Sequence, residues 1–167
     1  MLTDLLSFPN PVNEKAARTV AAVVSVLTAL TLATSAYWLT VVLAYGFLAR
    51  VATGPTLSPL GRLASAVIAP RLGPEKPVPG PPKRFAQGMG AAFSVGAATA
   101  ALGFGDGAAA DALLALVLAA AFLEAAFGLC LGCKVFALLM RAGIVPERAC
   151  VECADIWSGR RAAETGR

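Results

Sequence analysis

Four long stretches of this chain are nearly free of charge, and that restricts its fold more than any other feature. Residues 16–34 carry one charge, Arg18, in the first turn, and residues 36–52 carry only Arg50, near their end. Residues 85–104 carry none, and residues 111–130 carry Asp111 at their start and one internal charge, Glu124. At 1.5 Å per residue each stretch can cross ~30 Å of hydrocarbon as a helix, the second only just. Composition agrees: 57% of residues are hydrophobic and 14% charged, where a soluble domain has about 25% charged residues. The first stretch, with Thr34-Ser35-Ala36 behind it, imitates a secretory signal, but its length fits a span.

The expected architecture is all-α, a four-helix transmembrane bundle over residues 1–141. Its spans fall at about 16–34, 36–52, 85–104 and 111–130, the last extending as helix to 141. The first two spans are expected to form a tight hairpin, with Tyr37 and Trp38 in the aromatic belt at its turn. Residues 63–68, flanked by Arg62 and Arg71, read as a short helix lying in the membrane interface between spans 2 and 3. Residues 73–82, dense in proline, read as an extended tether. Gly88, Ala92, Gly96 and Ala100 form a small-xxx-small ridge for helix packing, within the bundle or in a homo-oligomer.

Loop charges give an orientation. Between Arg50 and Arg84 there are six basic residues and one acidic, Glu75, whereas the 103–111 turn holds only Asp106 and Asp111. Basic loops stay inside, so both termini and the linker are expected in the cytoplasm. The net charge of +4 is accounted for by topology and lipid headgroups, and nothing in it calls for a nucleic-acid partner.

The chemistry resides in four cysteines. Cys130-Leu131-Gly132-Cys133 and Cys150-Val151-Glu152-Cys153 form two CxxC pairs separated by sixteen residues, and the chain has no histidine. The first pair falls at the cytoplasmic lip of the last span. The second lies in a cytoplasmic tail, residues 142–167, where Gly143 and Pro146 are expected to stop one helix and start a short C-terminal one. In that compartment a static disulfide is disfavoured. Two active readings remain. One is dithiol–disulfide or sulfane-sulfur chemistry, making the chain a thiol–disulfide oxidoreductase-like protein. The other is a site for zinc or iron, structural or for metal handling, whose ligands would be Cys130, Cys133, Cys150 and Cys153. A third class is a non-catalytic subunit or scaffold of a larger membrane complex, its cysteines packing helix ends. With Cys130 late in a helix and Cys150 near a helix start beside Arg148, Cys150 is the expected nucleophile.

Glu124 is a carboxylate inside the apolar stretch and a functional candidate for that reason. On a straight helix it lies about 120° from Cys130 and about 180° from Cys133, so it misses the thiols unless Gly128 or Gly132 kinks the helix. Its bland partners would be Ser25, Thr28, Thr31, Gln87 or Ser94.

The segments Gly54-Pro55-Thr56-Leu57-Ser58-Pro59-Leu60-Gly61-Arg62-Leu63, Pro82-Lys83-Arg84-Phe85-Ala86 and 123–136 around Glu124, Cys130 and Cys133 resemble the domain-of-unknown-function-4395 family of small bacterial integral membrane proteins. The resemblance runs from about Pro11 to Arg141. It implies a bacterial inner-membrane protein, and by association a thioredoxin-like or sulfurtransferase partner. It maps onto Glu124, Cys130 and Cys133.

Overall fold

The computed structural model describes residues 8–146, 149 and 150, and within them the chain is almost wholly helical. Asn13 caps the first helix, its Oδ1 accepting the Lys15 N–H at 3.0 Å, and α1 runs over Glu14–Thr34 until Ser35 turns left-handed (φ 54°). A short turn leads to α2, Leu39–Thr53. Then come α3 (Pro59–Leu63), a π-helical turn (Ala64–Ile68) and α4 (Ala69–Arg71). After an extended stretch, α5 (Gly80–Ala98) continues through a second π turn (Thr99–Gly103). Asp106 caps α6, Gly107–Phe127, accepting the Ala109 N–H at 3.0 Å. The last described helix is α7, Leu131–Arg141.

Three helices are long and apolar enough to cross a membrane, Glu14–Thr34, Gly80–Gly103 and Gly107–Phe127, while Leu39–Thr53 is apolar but shorter. Large apolar side chains cover the outside of the bundle, among them Val26, Leu30, Leu48, Leu116 and Phe122. The inside is made of small residues that let backbones approach: Ala16, Ala21, Ala91, Ala97 and Ala110 surround Leu114, Val24 and Phe47. The α1 hydroxyls in this core bond their own helix. Ser25, Thr28 and Thr31 each donate to the carbonyl four residues back at 2.8 Å, which satisfies them without a neighbour.

The first two spans are joined by the expected short turn, and within that hairpin α1 packs mainly on α6 and α2 mainly on α5. Adjacency in sequence and adjacency in space differ because small-residue faces, not loop length, choose the partner. Gly90 sits against the Phe47 ring, where a Cβ would collide with it, and Gly96 faces Leu113 of α6. Gly88 has nothing within 4 Å of its Cβ position, and Ala92 is exposed. The buried face of α5 is therefore Ala91, Ser94 and Ala97, offset from the expected ridge.

The linker is tied down rather than loose. Pro77–Val78 pairs antiparallel with Val12–Asn13. Lys76 bridges Glu14 at 2.7 Å, and Gly80 donates to Asn10 Oδ1 at 2.8 Å. The helix after it starts at Gly80, not 85: Pro81 and Pro82 fill its first positions, where proline lacks only an N–H that would go unpaired anyway.

The described lysines and arginines from Lys15 to Arg84 lie at one end of the bundle, with the starts of α1 and α5 and the end of α2. The other end holds Asp106, Asp111 and the Tyr37 hydroxyl, which donates to Asp111 Oδ1 at 3.1 Å.

Candidate functional site: a dithiol on a buried charge cluster

The site begins with a helix break. α6 stops at Gly128, which adopts φ 68°. Gly128 donates back to Glu124 O at 3.0 Å, the single bond of an αL helix end, and Leu129 to Leu123 O at 3.2 Å. Arg18 then takes the orphan carbonyls: its Nε and Nη2 donate to Ala125 O at 3.2 and 3.0 Å, and Nη2 to Ala126 O at 3.0 Å. A cation at a helix C-terminus also complements the dipole.

This break overturns two expectations. The last span does not continue to 141 as one helix, and Cys130 is not late in a helix. Cys130 is the N-terminal cap residue of α7 (φ −84°, ψ 106°), and Cys133 lies in the first turn. Both have free thiols, Cys130 buried and Cys133 half-buried. Gly132 is packed so closely on Ala86 that any side chain there would strike α5, which fixes the start of α7 against the start of α5.

Glu124 meets a partner that the sequence reading missed. Lys83, in the first turn of α5, forms a short ion pair with Glu124 Oε1, with side-chain exposures of 9% and 13%. Because α5 starts at Gly80, Lys83 enters the bundle instead of lying in the tether. Its appearance in the Pro82-Lys83-Arg84 segment was the only available signal. Arg50 is the second missed cation. It is buried, its Nε donates to Gln87 Oε1 at 2.8 Å, and its guanidinium lies 4.7 Å from the Phe47 ring centroid. The charge of Glu124 acts on Arg50 as well.

The two thiols are electrostatically unequal. Hydrogen bonding from the Cys133 thiol holds the Cys130 thiol below the ordinary range; burial and the Glu124 charge oppose this, and Lys83 supports it. Cys133 is pushed up by that same hydrogen bond, by burial and by the charge of Cys130. The structure brings Glu124, Cys130 and Cys133 together with Lys83. It does not bring Cys150 to them as a free thiol: Cys150 is buried and disulfide-bonded, so the expected nucleophile is not available there as a thiolate. Cys153 and the tail from 151 onward lie outside the described residues. Among the described residues no group of three or more Cys, Asp or Glu is arranged to hold a metal.

Two cavities meet at Arg50 and Gln87. One, about 270 Å³, is lined by Phe8, Pro9, Pro11 and Val12, ahead of α1, and reaches Lys83. The other, about 360 Å³, runs between α5, α6 and α7 and reaches Glu124 and Cys130.

No curated protein and no solved structure matches the chain. Residues 12–141 match the model of a family described as domain of unknown function (DUF4395). That match covers 130 of the 167 residues and includes Arg50, Lys83, Glu124, Cys130 and Cys133, so the chain belongs to the DUF4395 family.

Proposed function

We propose that the chain is a four-span protein of the bacterial plasma membrane that relays electrons through the Cys130/Cys133 dithiol at its cytoplasmic face. Leu39–Thr53 is the fourth span; its 15 residues reach about 22 Å as a helix, and neighbouring turns and interfacial side chains complete the crossing. The crowding of Lys and Arg at one end supports cytoplasmic termini and linker.

The observation that carries the functional reading is Cys130 at the start of α7 beside Cys133, Lys83 and Glu124. A helix N-terminus and a nearby cation favour a thiolate. The buried trio of Arg50, Lys83 and Glu124 has a formal charge of +1, two cations less one carboxylate, and one thiolate brings it to zero. Attack is assigned to Cys130. Its thiolate bonds to one sulfur of a partner disulfide, and the other partner sulfur leaves as thiolate. Cys130 then carries no charge, the influence that keeps Cys133 protonated is gone, and Cys133 loses its proton and attacks the Cys130 sulfur. The second partner thiolate leaves. The partner gains two electrons and the membrane protein holds a Cys130–Cys133 disulfide. A soluble thioredoxin-like or sulfurtransferase protein fits the partner role.

Cys133→Ser tests the order of events. In the presence of an oxidised thioredoxin it should accumulate a mixed disulfide at Cys130, whereas Cys130→Ser should not form one at Cys133. Equal trapping by both variants, or by neither, would refute the assignment.

A further inference from the structure

Thiol–disulfide exchange runs in either direction, so a reduced thiol partner can return two electrons to the Cys130–Cys133 disulfide and restore the dithiol. A relay then needs a second, two-electron acceptor, and the larger cavity has the chemistry for one. This inference rests on the relay reading. Its inner end is polar: Arg50, Gln87, Glu124 and Cys130 line it. Its remaining walls are largely apolar, with Val24, Phe47, Phe93 and Val117 inside. Leu116 and Leu138 also line it and are 53% and 60% exposed, so the cavity reaches the outer surface of the bundle. Leu116 lies in mid-helix on α6, level with the apolar spans. A ligand entering there comes from the lipid, not from water. The volume, about 360 Å³, is at the small end of ligand sites, roughly 300–1,000 Å³, enough for a substituted ring with a tail left outside.

We propose that this cavity takes a membrane quinone, its ring beside Cys130, one carbonyl toward Arg50 and Gln87, and its tail leaving past Leu116 and Leu138. Arg50 suits the carbonyl end: a guanidinium has five N–H donors, of which Nε serves Gln87 and Nη1 reaches Ser58 at 3.4 Å. It stabilises negative charge growing on the quinone oxygen in a site with little water. In the step, the Cys130 thiolate and the Cys133 thiol lose two electrons and one proton and form one S–S bond. The quinone gains both electrons, the Cys133 proton and a second proton from Lys83, and becomes the quinol. The charged cluster keeps a proton donor and acceptor, Lys83 and Glu124, next to the thiols for that transfer.

The test uses the full chain in detergent, fully reduced and oxygen-free, with decylubiquinone as probe. Quinol is read by ultraviolet absorbance and the cysteine state by alkylation and mass spectrometry. The wild type should form about one quinol per Cys130–Cys133 disulfide. Ala120→Phe, which fills the cavity wall, should slow quinone reduction at least tenfold and leave oxidation of the same dithiol by cystamine unchanged. The smaller Ala120→Leu should fall between them, and cystamine oxidation at the wild-type rate certifies the fold of each variant. Quinone reduction at wild-type rate in both variants would overturn the site. A covalent quinone adduct on cysteine without a disulfide would overturn the step. If cystamine oxidises the pair and the quinone does not, the quinone inference falls and the relay stands; if neither oxidises it, both fall.

Discussion

Lys83 and Glu124 form an ion pair with side-chain exposures of only 9% and 13%, and removing one partner strands the other charge away from water. Breaking a buried pair in this way costs about 3–5 kcal/mol. The structure ranks the two single changes. In Lys83→Met the carboxylate still has the Arg50 charge acting on it, so the cost lies near the lower figure, about 3 kcal/mol. In Glu124→Leu both Lys83 and Arg50 lose their carboxylate, and the cost lies near the upper figure, about 5 kcal/mol. For a chain of this length ~1 kcal/mol moves the unfolding midpoint by about 2–4 °C, so Lys83→Met should lower it by about 6–12 °C and Glu124→Leu by more. The double variant should be more stable than Glu124→Leu alone, because one of the two stranded cations is gone. Thermal unfolding in a mild detergent, read by helical circular dichroism, gives all four corners of the cycle. Strictly additive shifts, or single shifts below about 2 °C, would refute the buried charge cluster.

Three further outcomes follow from the same geometry. The pH midpoint for alkylation of Cys130 should lie below that of an ordinary thiol, and Cys133→Ala should move it upward by removing the hydrogen bond that favours the thiolate; an unchanged midpoint would contradict that origin. The sign follows from the shift: an acid held low is ionised, and reactive, at a lower pH, so reactivity at neutral pH should fall in the variant. Gly128→Val should destabilise by about 1–3 kcal/mol, since φ is 68° and a Cβ there comes within 3.0 Å of Glu14 Oε1; a neutral effect in thermal unfolding would mean that the break is not fixed there. A reporter fused at residue 106 should be found outside the cytoplasm, at the turn that carries Asp106 and Asp111 and no lysine or arginine.

Helical class and the positions of the apolar helices were readable because hydropathy and charge are local properties of a sequence. The candidate spans shift by a few residues at their ends, mostly where a cap decides: Asn13 moves the first start and Pro81-Pro82 moves the third. The site was half readable. Glu124, Cys130 and Cys133 stood out by residue type, but their meeting depends on the left-handed turn at Gly128. Apolar periodicity carries on through Phe127, Leu129 and Leu131, and only Gly128 and Gly132 marked a place where the helix could break. Lys83 and Arg50 were read as topology signals, because a basic residue near a span end looks the same whether it turns to the headgroups or into the bundle. Cys150 looked like the attacking thiol from its neighbours in sequence, whereas the structure has it disulfide-bonded. Pairing of α1 with α6 and α2 with α5 likewise depends on which small-residue faces match, a property of two helices together.

The central claim is that Cys130 and Cys133 act as one redox pair. Peptide mass mapping of the full chain, reduced and then treated with one equivalent of oxidant in the presence of a chelator, tests it directly. The expected result is a reversible loss of two hydrogens on the peptide carrying Cys130 and Cys133, independent of the disulfide at Cys150, restored by reductant, with the pair free of metal. Recovery of about one tightly held zinc or iron per chain, with both thiols reduced and resistant to oxidation, would contradict the claim.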